Sequence, residues 1–176
     1  MVCQEFSVSQ KTYFIADTHF NDSNILRFEN RPFGNVDEMN TSLVNQWNNI
    51  VTEDDTVYML GDIGDVKFLK HLNGKKYLIK GNHDTETNEF YRNAGFIEVY
   101  DHPIILDSFW ILSHDILYVS DNTPYANLFG HVHNSPIIKD YSSHHFCVSA
   151  ERIEYAPVSF GHIKNALLTS QKEVRK

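Results

Sequence analysis

Cysteine is scarce in this chain: Cys3 and Cys147 are the only two, far apart and without metal-ligand spacing. That argues against a closed, cysteine-built zinc site and makes a reduced, cytoplasmic setting the expectation. Long hydrophobic runs are missing too; none approaches the roughly 20 residues that a membrane-spanning helix needs. The first five residues, M-V-C-Q-E, lack the basic and apolar regions of a signal peptide, so none is expected. No repeat, low-complexity tract or Pro/Gly/Ser linker divides the sequence. At 176 residues it can bury a core of its own, and a single domain over 1–176 is expected. Positive charge is the other shortage: 15 Lys and Arg face 23 Asp and Glu, a formal net charge of −8 with histidine neutral. Broad binding to nucleic acid needs clustered Lys and Arg, and a single-strand groove needs basic residues interleaved with aromatics. Neither pattern is present.

Histidine and aromatic residues, by contrast, are plentiful. The 12 Phe and 9 Tyr exclude a disordered chain, and 10 His exceed what core packing usually requires. Five of the histidines fall in or beside short motifs: D-T-H at 17–19, G-N-H-D at 81–84, S-H at 113–114 and G-H-V-H at 130–133, with a further G-D at 61–62. The others, His71, His102, His144, His145 and His162, read as surface or partly buried residues.

Each motif follows an apolar run. K-T-Y-F-I-A (11–16), D-T-V-Y-M-L (55–60) and K-K-Y-L-I-K (75–80) are rich in strand-favouring residues and lead into Asp17, Gly61 and Gly81. Residues 103–106 and 109–112 flank Asp107-Ser108 as a hairpin whose second strand delivers His114; 125–129 leads into Gly130, and 145–149 reads as a further strand. Between them, Met39, Leu43, Trp47, Ile50 and Val51 recur near a 3.6-residue period, predicting a helix over 37–51. Asp65 is a cap for a short helix to Leu72, and Thr85 for another to Ala94, closed by Gly95. The tail after Tyr155 reads as a terminal helix. Strand–helix alternation in the first half predicts parallel pairing, and the hairpin-rich second half antiparallel or mixed pairing, within an α/β fold. In such sheets functional groups gather at the carboxyl ends of strands, so distant motifs converge on one cleft.

The motifs together supply carboxylate, amide and imidazole donors, which suit Mn, Fe, Zn or Ni rather than Ca. The D-x-H spacing places Asp17 and His19 on one side of an extended segment, and the same spacing lets His131 and His133 reach neighbouring metals. Glycines at 61, 81 and 130 permit the turns and close approach that such loops need. The negative charge does not exclude a phosphoester substrate, because two bound divalent cations would add about four positive charges locally.

The ordered set resembles the calcineurin-like metallophosphoesterases, from Asp17 to His133, and D-T-H-F-N-D-S-N-I at 17–25 is similar to a D-x-H-F-G-H-x-N-I stretch of small bacterial and phage relatives, with Asp22 in place of its second histidine. The resemblance implies a layered sandwich of two mixed β-sheets flanked by helices, with the metal site at strand C-terminal ends. It implies two divalent metal ions, manganese favoured. Asp17, His19 and His133 would hold the first, Asn82, His114 and His131 the second, and Asp62 would bridge them. His83 would be the catalytic histidine at the leaving oxygen, with Asp84 on its other nitrogen. Hydrolysis would proceed by in-line attack of a metal-bridging hydroxide on phosphorus, without a covalent enzyme intermediate.

Beyond the motifs, Arg27 and Arg31 are the nearest basic candidates for a second phosphate contact, with a surface salt bridge as the alternative. Asn21 and Asn24 read as turn or cap residues, and Asp65 as a helix cap or a support to the site. Because the chain is short and leaves little room for a cap domain, a phosphodiesterase acting on a small phosphoester is the leading expectation. A phosphomonoesterase and a metal-binding scaffold or interaction module on the same fold are the alternatives.

Overall fold

The computed structural model describes residues 11–120, 122–138 and 144–174, with backbone alone over 169–174. Cys3 and the N-terminal residues read for a signal peptide lie outside the described residues. In chain order the elements are β1 (Thr12–Ile15), α1 (Ser23–Phe28), α2 (Val36–Ile50), β2 (Thr56–Met59), a 3-10 helix (Val66–His71), β3 (Lys75–Ile79), α3 (Asn88–Ala94) and β4 (Glu98–Tyr100). They continue with β5 (Ile104–Leu106), β6 (Trp110–Leu112), β7 (Ala126–Phe129), β8 (His145–Cys147), a second 3-10 helix (Ala150–Ile153), β9 (Val158–Ser159) and α4 (Phe160–Val174). No described helix is long and apolar enough to cross a membrane.

The strands make two mixed sheets flanked by helices, a layered α/β arrangement. The first has the order β4-β3-β2-β1-β9, parallel throughout except for β9, which runs antiparallel to β1. The second has the order β5-β6-β7-β8, with only the β5–β6 pair antiparallel. Side chains of a strand alternate between faces, and β1 shows why this sheet is buried on both. Tyr13 and Ile15 pack with Met39, Leu43 and Trp47 of α2, while Phe14 and Ala16 pack with Leu112 and Leu128 of the second sheet and Ile163 and Leu167 of α4. Full burial of a large apolar side chain is worth about 1.5–3 kcal/mol relative to exposure.

Several local expectations shift. Asn35 opens α2, its side chain accepting the Glu38 N–H at 2.9 Å, and Val51 is buried while Ile50 is 41% exposed. Asp65 caps its helix as expected, although the helix is 3-10 rather than α. Thr87, not Thr85, caps α3. Residues 81–85 are already turned back on themselves, with Asp84 N–H bonded to Gly81 O and Thr85 N–H to His83 O, so no helix can begin there. Gly95 closes α3, and the Asp107-Ser108 hairpin has both residues at positive φ, the twist that suits a two-residue turn. α1, β4 and β9 carry too few residues to show a period.

What positions the site is the joint between the sheets. Ala16, just past β1, donates its N–H to Val148 O at 2.8 Å and accepts from Ala150 N at 3.0 Å. The carboxyl end of β1 is thereby tied to the chain leaving β8.

Candidate metal centre

Five strand ends meet at this joint: β1 delivers Asp17 and His19, β2 Asp62, β3 Asn82 and His83, β6 His114, and β7 His131 and His133. Five of the seven candidate ligands, Asp17, His19, Asp62, His131 and His133, have φ between 45° and 69°. The D-T-H segment is therefore not extended, as its spacing had implied. Left-handed backbone at a non-glycine residue costs roughly 1–2 kcal/mol and persists where the surroundings over-determine it. Here they do: Asp17, His19 and Phe20 donate their N–H groups to the carbonyls of Gly61, Asp62 and Ile63 at 2.9–3.0 Å. Glycine is required at 61, where φ is 88° and a side chain would meet His114 Nδ1 and the Gly81 backbone.

Two groups of donors form. Ligand atoms of Asp17, His19 and His133 all lie within 4.8 Å of one another, as do those of Asp62, His114 and His131. In the second group Asn82 Oδ1 is 3.0 Å from both His114 Nε2 and His131 Nδ1, and those two nitrogens are 3.1 Å apart. Asp62 Oδ2 stands between the groups, 3.7 Å from His19 Nε2 and 3.3 Å from His114 Nε2. A carboxylate can share itself between two cations in such a position; an imidazole nitrogen cannot.

The neighbours decide which nitrogen of each ring faces inward. His114 Nδ1 lies 2.8 Å from Leu60 O and His133 Nδ1 lies 3.0 Å from Glu151 Oε1. Both partners only accept, so each Nδ1 carries the hydrogen and, in the neutral ring, Nε2 keeps its lone pair. His19 Nε2 is buried with no hydrogen-bond partner. A buried polar atom left unsatisfied costs about 1–3 kcal/mol, and a lone pair reserved for a cation accounts for it. On that test the first group fits a divalent ion, and Asp62, Asn82, His114 and His131 offer donors that could hold a second.

The electrostatics point the same way. Burial pushes the Asp17 carboxyl up to about 6, against the pull of His133 and His114. Burial likewise pushes His19 down to about 4, so its ring is neutral and able to ligate. His114 resists burial: its contacts with Asp62 and Asp17 outweigh desolvation and raise it to about 9, so without an ion its ring is charged at pH 7 and must give up the Nε2 proton to ligate. The carboxylates thus draw a positive charge to the position a cation would take.

The chain has a clear relative. Uncharacterized protein MJ1445 of Methanocaldococcus jannaschii is 36% identical over 182 residues, spanning 94% of this chain and 96% of that protein. This chain belongs to the MJ1445 family. The Gene 66 protein of Mycobacterium phage L5 is 34% identical over 82 residues, 42% of this chain and 39% of its own length. The crystal structure of the protein of unknown function AQ665 from Aquifex aeolicus has a TM-score of 0.67 and 24% identity, covering 89% of this chain and 99% of that one. At that identity the likeness is one of fold. No family model matches the chain.

In this member of the MJ1445 family two assignments change. Arg31 is not a phosphate contact. Its side chain is fully buried, donating to Asp17 O at 2.6 Å, Thr18 O at 3.0 Å and Glu151 Oε1 at 2.8 Å. Arg27 is exposed on α1 with its guanidinium over the Phe28 ring. Asp84 does not hold His83. It is buried and accepts the backbone N–H groups of Asp62 (2.7 Å), Gly81 (2.9 Å) and Ile63 (3.2 Å), amides that the tight loops leave without strand partners. His83 is exposed beside the donors, its ring edge-on to His19 at 5.4 Å.

Other neighbours go beyond the motifs. Asp22 caps α1 by accepting from Asn24 N, and its other oxygen is 3.6 Å from His19 Nδ1. Asn21, at a φ of 64°, donates to Asp65. Glu151, buried against Arg31 and His133, was not singled out by any motif. The strand-end rule applied to β8 would have found it.

Proposed function

We propose that this chain is a dinuclear metal-dependent phosphoester hydrolase of the calcineurin-like metallophosphoesterase type, most simply a phosphodiesterase. The observation that carries the reading is the position of Asp62 Oδ2 between two donor groups, one containing the partnerless His19 Nε2 and the other the triangle of Asn82, His114 and His131. Asp17, His19 and His133 would hold one divalent ion, Asn82, His114 and His131 the other, with Asp62 shared. Such a pair of ions lowers the pKa of a coordinated water towards 7 and neutralises phosphoryl oxygens.

The chain's own groups supply the rest. Asp62 Oδ1 accepts the His83 N–H at 2.9 Å, which fixes the backbone of His83 relative to the donors. From its exposed position the His83 imidazole can reach a substrate oxygen and give it a proton as the alcohol leaves. The test is hydrolysis of bis(p-nitrophenyl) phosphate and of p-nitrophenyl phosphate with added Mn2+, with EDTA and H114A as controls. Diester cleavage lost in both controls is expected. Metal-dependent cleavage of the monoester alone would make it a phosphatase, and no metal-dependent turnover of either would leave a binding module.

A further inference from the structure

Glu151 sits where no motif placed a functional residue. It lies in the 3-10 helix after β8, and its side chain is only 3% exposed. One oxygen, Oε1, does two things: it is 3.0 Å from His133 Nδ1, and it accepts from Arg31 Nε at 2.8 Å with Nη2 in ion-pair contact at 2.6 Å. The other oxygen, Oε2, is buried with no hydrogen-bond partner. An unsatisfied buried carboxylate oxygen is costly, and a salt bridge removed from water is weak evidence for stability alone.

Arg31 extends the connection. Its guanidinium also donates to the carbonyls of Asp17 and Thr18. One buried pair therefore links the ring of His133, from the second sheet, to the backbone carrying Asp17 and His19, from the first. Two residues of the first donor group, His133 and Asp17, meet it directly, and the third, His19, follows Thr18, whose carbonyl it holds; the second group depends on Leu60 O and Asn82 instead.

Glu29, His133 and Glu151 could also pass for a third cation site, since their ligand atoms lie within 4.8 Å of one another. The Arg31 guanidinium, already against Glu151 Oε1, supplies the positive charge there and leaves a further cation facing repulsion.

We infer that Glu151, held in place by Arg31, is the positioning residue of the first half-site: it fixes the His133 tautomer and aims its Nε2 at the ion shared with Asp17 and His19. The inference rests on the two-metal reading above. A carboxylate on the outer nitrogen of a ligating histidine orients the ring and raises its basicity, and losing such a partner typically costs about 10–100-fold in metal affinity.

The test is calorimetric Mn2+ titration of the full chain, with H114A isolating the first half-site and H19A the second, and thermal unfolding read beside it. E151A is expected to weaken Mn2+ binding at the first half-site about 10–100-fold and to leave the second unchanged. E151Q, whose side-chain carbonyl still accepts the His133 Nδ1 proton, is expected to recover most of that loss. Because E151A strands the Arg31 charge, R31M/E151M serves as a second probe. It replaces the ion pair by apolar side chains of similar size, a change that proteins often tolerate, and the same selective loss is expected. Equal weakening at both half-sites in step with the melting temperature, or unchanged affinity at the first, overturns the inference while the two-metal reading stands. Wild-type protein that takes up no Mn2+ removes that reading, and this one falls with it.

Discussion

Asp84 holds Asp62 by the backbone: Asp84 Oδ2 accepts the Asp62 N–H at 2.7 Å while also taking the Gly81 N–H at 2.9 Å. One carboxylate thus locks the loop after β2 to the loop after β3, and it fixes the residue that stands between the two donor groups. Replacing Asp84 by Ala leaves two buried amides, of Asp62 and Ile63, and the half-buried Gly81 amide without an acceptor. The expected loss is roughly 3 kcal/mol by urea unfolding, with D84N losing less because one acceptor oxygen remains. If Asp84 worked only through His83, D84A would lower turnover with no change in the unfolding midpoint.

Arg31 separates a structural cation from a substrate contact. R31M leaves Glu151 buried without its partner, which typically costs about 3–5 kcal/mol. A steep fall in melting temperature is therefore expected. R31K should recover only part of it, since an ammonium cannot serve Asp17 O, Thr18 O and Glu151 as the planar fork does. A rise in KM with an unchanged melting temperature would instead return Arg31 to the substrate.

Away from the centre, Asp55 gives the clearest acid sensitivity. Burial works against its charge, but the Thr52 N–H and hydroxyl and the Lys11 N–H, each at 2.8 Å, outweigh it and hold the carboxyl below its usual value. A depressed folded pKa means the stabilisation is present above the unfolded value, near 4, and is lost as pH falls through the folded one. Stability measured from pH 7 down should drop below about pH 4, and D55N should flatten that drop. At pH 7, D55N should be less stable by about 1–2 kcal/mol. An identical acid limb in D55N would refute the assignment.

The strands and the convergence of the motifs were legible because an apolar strand-favouring run precedes every motif, and four of the five runs end at glycine or aspartate. α2 was legible from Met39, Leu43 and Trp47. Among the elements that escaped, α1, β4 and β9 are six, three and two residues long, too short for a period to register. The backbone shape at Asp17 and His19 was hidden for a different reason: left-handed φ is imposed by the Gly61, Asp62 and Ile63 carbonyls, a tertiary effect that D-T-H does not encode. The partners of Asp84, Arg31 and Glu151 were hidden likewise, since a charged residue reads as exposed until the fold shows what surrounds it.

The hydrogen bond from the His131 N–H to Asp17 Oδ2, at 2.9 Å, joins residues 114 positions apart in the sequence. This sets an order of assembly. A nascent chain that has not yet emitted its β7 loop holds Asp17, His19 and Asp62 but neither completed donor group. On the two-metal reading, ion uptake would be among the last events of maturation, and a retained ion would mark a molecule whose synthesis and folding have both reached the far side of the second sheet.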